Sequence, residues 1–177
     1  MQKRVYLVKI SFLLFLLVLI TPSAAQEKCG LQVKEAPSVF GLKLGMNPKQ
    51  AQSVFGKNLK LKIKKEGTFF QNFIEKKPPF FLSGTRAIYL RFFEVRLYQI
   101  EVFYEPQSER KTLEEFVGDL SAKFNLPSNF WITEYGKAAL DCGEFSIVAD
   151  NVLNPRVELT DKIIHARFEA AQKDKNK

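Results

Sequence analysis

Hydrophobic and polar positions alternate with a period of two along residues 87–104, Ala87-Ile-Tyr-Leu-Arg-Phe-Phe-Glu-Val-Arg-Leu-Tyr-Gln-Ile-Glu-Val-Phe-Tyr104. The run is rich in β-branched and aromatic residues and free of Gly and Pro, which predicts two strands of one hairpin. A three-residue connection, Glu94-Val95-Arg96, sets Phe93 against Leu97, Phe92 against Tyr98, Leu90 against Ile100 and Ile88 against Val102. One face is then Ile88, Leu90, Phe92, Tyr98, Ile100, Val102 and Tyr104, apolar apart from its tyrosine hydroxyls. A two-residue loop would oppose Leu90 to Gln99 and hold the β-branched Val95 at positive φ, so the three-residue loop is expected.

The same reading extends in both directions. Leu59, Leu61 and Ile63 alternate with Lys60, Lys62 and Lys64, predicting a strand, and Thr68 to Ile74 predicts another. Trp131–Tyr135, Ala138–Cys142 and Phe145–Ala149 predict further strands, the last two paired around Gly143-Glu144 with Leu140 facing Ile147 and Cys142 facing Phe145. Arg156–Leu159 predicts a short edge strand. Helical spacing appears three times. Asn47-Pro48 with Gln50 opens a short helix carrying Ala51, Val54 and Phe55, closed by Gly56. Thr112 with Glu115 forms a capping box before Leu113, Phe116, Val117, Leu120 and Phe124, and Asn125 and Pro127 end that helix. Thr160 is expected to cap a last helix with Ile164, Phe168 and Ala171 on one stripe.

These elements predict an α+β fold: an antiparallel sheet of seven to eight strands with two to three helices packed on one face. The element order also admits two helix-plus-meander halves, 41–105 and 109–171, inside a single domain spanning 26–171. The polar segment 172–177 reads as a disordered tail.

Composition changes the picture at the N-terminus. Lys3, Arg4 and Lys9 precede an apolar run from Ile10 to Ile20, and Ser23-Ala24-Ala25 offers a cleavage site, so residues 1–25 read as a secretory signal. The run is short for a membrane span, so the mature chain is expected to be exported, periplasmic or extracellular, and not membrane-spanning. Loss of the signal leaves 24 basic residues against 19 acidic, a balance of +5. Both cysteines, Cys29 and Cys142, lie beyond the signal, and an even count in an oxidising compartment points to one disulfide. The alternative is two free thiols with Cys142 buried.

The spacing Gly41-x-x-x-Gly45-Met46-Asn47-Pro48-x-Gln50-Ala51-x-x-x-Phe55-Gly56 resembles the opening motif of small outer-membrane-assembly lipoproteins of the SmpA/OmlA type and of β-lactamase-inhibitor-protein-like domains. The resemblance implies a short helix packed on an antiparallel sheet and a role in binding other envelope proteins. It covers about one tenth of the chain and transfers no functional residue, and no lipidation signal precedes Cys29.

Catalytic chemistry is sparse. His165 is the only histidine, and a Cys142–His165 nucleophilic pair lacks any local signature. No ligand spacing marks a metal site, and no glycine-rich phosphate loop or paired carboxylates are present, so no cofactor, nucleic acid or small-molecule substrate is expected. Glu101 sits diagonal to Arg91 and reads as half of a cross-strand ion pair. The lysines at 57, 60, 62, 64, 65, 76 and 77 either attract a polyanion or anionic membrane surface, or protect an edge strand from aggregation. Pro78-Pro79-Phe80-Phe81-Leu82 either forms an exposed patch for a partner or folds as a lid over the hairpin's second face, where Tyr89, Phe93, Leu97 and Phe103 need cover. The sequence therefore points to an exported, non-enzymatic binding or structural module of the cell envelope, its partner another envelope protein. Its candidate contact residues are Phe80, Phe81, Leu82, Tyr89, Phe93 and Phe103. Polyanion or membrane-surface binding through 57–65 is the alternative, and a Cys142/His165 enzyme a second one.

Overall fold

Helix starts follow from capping chemistry. A computed structural model describes residues 29–57, 59–63, 65–73, 77–106, 112–151 and 155–176; residues 1–25, expected to be a secretory signal, lie outside them. Asn47 Oδ1 accepts from Gln50 N at 2.9 Å while Asn47 N donates to Gln50 Oε1 at 2.8 Å, opening α1 (Pro48–Phe55). Thr112 and Glu115 form the same reciprocal pair at the start of α2 (Leu113–Phe124), and Asn125 ends that helix in the left-handed conformation. Both boxes satisfy amide groups that a helix start leaves unpaired.

The third helix, α3 (Lys162–Lys175), departs from expectation at both ends. Asp161, not Thr160, is the cap: its Oδ1 accepts from Ile163 N and Ile164 N at 3.0 and 2.9 Å. A carboxylate is favoured at a helix N-terminus, and the Thr160 hydroxyl is already held by Gln99 Nε2 at 3.1 Å. The helix then continues to Lys175, through most of the segment expected to be a disordered tail.

Seven strands form one antiparallel sheet in the order β1-β2-β3-β7-β6-β5-β4. They are β1 (Gly67–Asn72), β2 (Thr85–Phe93), β3 (Arg96–Tyr104), β4 (Trp131–Glu134), β5 (Lys137–Asp141), β6 (Phe145–Asp150) and β7 (Arg156–Asp161). Two meanders, each preceded by a helix, thus lie side by side, joined where β3 pairs with β7. The short strand expected at an edge is the central one. Leu159 of β7 is fully buried, with Ile100 of β3 on one side and Ile147 of β6 on the other. Alternation within one strand reports which face is buried, not how many neighbours it has.

The hairpin keeps its expected outer register and changes at its tip. Leu90 pairs with Ile100 and Ile88 with Val102, but Phe92 pairs with Leu97 and Phe93 with Arg96. The loop has two residues, Glu94 and Val95, at φ 48° and 64°. Tyr98 is the extra residue of a β-bulge between the Arg91–Gln99 and Phe92–Leu97 pairs, and it restores the register that the shorter loop shifts. Leu97 consequently faces the core and Tyr98 the second face, the reverse of the sequence reading. Contacts from outside the hairpin hold the unusual turn: Val95 N donates to Lys65 O at 2.9 Å, Leu97 N to Met46 O at 2.8 Å, and Glu94 pairs with Arg167.

Residues 59–63 are not a strand. Gln52 of α1 clamps them, its Nε2 donating to Leu59 O at 2.7 Å and its Oε1 accepting from Leu61 N at 2.6 Å. Leu59, Leu61 and Ile63 still point inward onto the core. Side-chain alternation is satisfied by any extended segment, whereas a ladder needs a free backbone edge.

The main core lies on one face of the sheet. Ile88, Leu90, Phe92, Ile100, Val102, Leu140, Ile147 and Leu159 pack there against Ala51 and Phe55 of α1 and Leu120 of α2. On the second face, at one end, Ile164 and Phe168 of α3 cover Phe93 and Tyr98. Cys29 and Cys142 form a disulfide with 4.5 Å between Cα atoms. It anchors an N-terminal segment whose Ala36, Val39 and Leu42 are buried. Among the described residues, no helix is long and apolar enough to cross a membrane.

Candidate binding surface

Beyond α3, the second sheet face carries three rows of side chains set by strand register. The first runs Thr68, Arg91, Gln99, Thr160; the second Phe70, Tyr89, Glu101, Glu158; the third Asn72, Ala87, Phe103, Arg156. Aromatic rings occupy the β1–β3 end. Phe70 stacks on Tyr89 with centroids 4.3 Å apart, Tyr89 meets Phe103 edge-on at 5.8 Å, and the Arg156 guanidinium lies 5.8 Å from the centre of the Phe103 ring. Phe70 remains 48% exposed, and Tyr89 and Phe103 are half-buried, so the ladder is open to solvent.

Charge fills the middle of the face. Glu101 is buried between two guanidinium groups, 3.0 Å from Arg156 and 3.6 Å from Arg91. Arg156 also reaches Asp150 at 3.6 Å. Gln99 accepts from Arg91 and donates to Glu158 at 2.7 Å. Each buried charge has a partner, which keeps the desolvation cost tolerable and fixes the rotamers of the half-exposed arginines. Two cations stand among three anions, so the face is mixed in sign, not a basic or acidic field.

At the α3 end the rows run into a cleft of about 350 Å³ lined by Thr68, Arg91, Tyr98, His165, Phe168 and Gln172. Tyr98 stacks on His165 and on Phe168 at 5.8 and 5.4 Å. Burial raises the Tyr98 phenol above its usual value, with the Arg91 charge pulling the other way.

The residues singled out from the sequence divide. Tyr89 and Phe103 stand in the ladder. Leu82 is fully buried in the main core and Phe93 is roofed by Phe168 at 5.6 Å, so neither can touch a partner. Phe81 packs on Phe55 at 6.1 Å, and Phe80 alone points outward, 98% exposed. The Pro78–Leu82 loop therefore seals the core face; it is not a lid over the second face, whose Phe93 is covered by α3 instead. Phe70 and Arg156 were missed, Arg156 because its strand read as an edge. The alternation of Phe69 and Phe70, one inward and one outward, was the available signal for Phe70.

The nucleophilic pair does not survive. Cys142 is bonded to Cys29, no free cysteine is present, and His165 stacks on Tyr98 on the second face while Cys142 belongs to the main core. Among the described residues no three His, Cys, Asp or Glu side chains stand together as a metal site. The chain matches no protein-family model, no curated protein and no solved structure.

Proposed function

We propose that the protein is an exported, non-enzymatic binding module of the cell envelope that holds another protein on the open second face of its sheet. One observation carries this reading: a half-exposed Phe70–Tyr89–Phe103 ladder ends on Arg156 and borders a charge network of both signs. Tyr, Phe and Arg in that arrangement match the composition of contact hot spots, with ordered polar groups around them to give register. The mixed signs favour a protein surface over a uniform polyanion on this face. Export is supported by the signal-like N-terminus and by the disulfide, which persists in oxidising compartments. The resemblance of Gly41–Gly56 to the outer-membrane-assembly lipoproteins agrees with an envelope role.

A photo-crosslinking amino acid placed at Phe70 or Phe103 in the producing cells tests the reading. A discrete protein adduct is expected from both positions and none from Tyr135, which is 98% exposed and outside the ladder. Tyr89→Ala should abolish the adduct at a preserved melting temperature. Absence of an adduct from the ladder, or the same adduct from Tyr135, would refute it.

A further inference from the structure

Positive charge is concentrated in one short stretch. Residues 36–65 contain seven lysines and no acidic residue, whereas 66–177 hold 15 basic and 17 acidic residues. Lys43, Lys49, Lys57, Lys60, Lys62 and Lys65 are all exposed, and none has a carboxylate partner among the described residues. The bland reason for outward lysines, protection of an edge strand, does not apply here. Residues 59–63 are outside the sheet, and the edge strand of that side, β1, contains no lysine.

The same stretch bounds an apolar groove of about 610 Å³ lined by Pro48, Lys49, Gln52, Leu61, Ile63 and Val95. Val95 is 42% exposed at its mouth and holds a left-handed conformation that suits Asn or Gly better. A strained, solvent-facing valine at a groove rim is the kind of feature that stability alone does not select.

We propose that this groove and its lysine collar form a docking site for an anionic bilayer surface. Val95 reaches the acyl boundary above the half-buried Leu61 and Ile63 on the groove floor, and the lysines span the headgroup layer with their apolar stems lying along the protein. Charge complementarity selects the occupant. Exposed ammonium groups beside an apolar groove fit a fluid field of lipid phosphates. A nucleic-acid or polysaccharide site would instead place stacking rings among the cations, and none lines this groove. The groove lies on the α1 side of the sheet, so docking leaves the aromatic ladder facing away from the membrane. The site is independent of the protein-binding reading, and loss of the ladder should not disturb it.

Vesicle flotation of the full mature chain tests the proposal, with vesicles of phosphatidylcholine alone and with one-third phosphatidylglycerol. Binding is expected only to the anionic vesicles at about 50 mM salt and should be lost near 0.5 M as screening shortens. A basic residue at an anionic surface is worth about fivefold in partition, so Lys60→Gln/Lys62→Gln should weaken binding about 25-fold. Val95→Asn relaxes the turn and removes the apolar rim; it should fold with an unchanged or higher melting temperature and bind several-fold more weakly. Tyr89→Ala should bind vesicles like wild type. No binding to anionic vesicles at low salt, equal binding to neutral ones, or a double lysine variant within twofold of wild type would overturn the proposal. Wild-type vesicle binding by Val95→Asn together with full competition by heparin would overturn it in favour of a soluble polyanion.

Discussion

Breaking the Cys29–Cys142 bridge tests how the N-terminal segment is held. The two residues are 113 apart in sequence, so the crosslink closes a long loop in the unfolded chain. Loop-closure entropy for a ring of that size amounts to about 16 cal/mol/K, or about 4.8 kcal/mol at 25 °C, an upper figure. Native contacts independent of the bridge are few near Cys29: its amide donates to Asp141 O at 3.1 Å, and Val33 N donates to Glu144 Oε2 at 2.8 Å. Further along, Ala36, Val39 and Leu42 are buried, and this packing should hold the segment when the bond is removed. Cys29→Ser/Cys142→Ser should therefore lose about 3–5 kcal/mol in urea denaturation, which at this chain size is a melting-temperature drop of about 6–20 °C. The loss should fall mainly on the folding rate where the closed loop is formed in the transition state, with unfolding little faster. A stability loss below about 1 kcal/mol, or wild type indifferent to reductant, would refute the entropic argument.

Thr85 Oγ1 is fully buried and has no hydrogen-bond partner among the described residues; Thr85→Val removes a desolvated hydroxyl at constant shape and should stabilise by about 1 kcal/mol, measured by denaturant titration, whereas a loss would show that the hydroxyl is satisfied. Burial against α2 pushes the Tyr104 phenol up from 10.0 to about 12, so the folded state holds that proton more tightly. Its contribution is complete below pH 10 and disappears as pH climbs from 10 to 12, on the order of 2–3 kcal/mol. The stability gap between wild type and Tyr104→Phe should change over that window, and a flat gap would contradict it. Asp161→Ala removes the cap of α3 and should cost about 1 kcal/mol in denaturant titration, and an unchanged midpoint would contradict the capping role.

Features decided within a few residues were legible in the chain. The Asn47–Gln50 and Thr112–Glu115 boxes operate over one helical turn, and they start α1 and α2 where the sequence places them. Period-two alternation likewise sets the Leu90–Ile100 and Leu140–Ile147 pairings, because a slip of one residue would turn an entire apolar face to water. The even cysteine pair announced its bridge. Other features depend on competition between distant segments, and no local pattern encodes them. Whether Leu61 joins a ladder or yields its amide to Gln52, and whether Leu159 lies at an edge or the centre, depends on which backbone edges other segments leave free. The hairpin tip shows both regimes in a few residues: alternation set its outer register, while hydrogen bonds donated to the Met46 and Lys65 carbonyls and the covering ring of Phe168 selected the two-residue turn and the Tyr98 bulge. The surfaces proposed for binding belong to this second class. Phe70, Tyr89, Phe103 and Arg156 become neighbours only once β1 and β7 have taken their places on either side of the hairpin, because adjacency across strands is set by tertiary pairing, not by spacing along the chain.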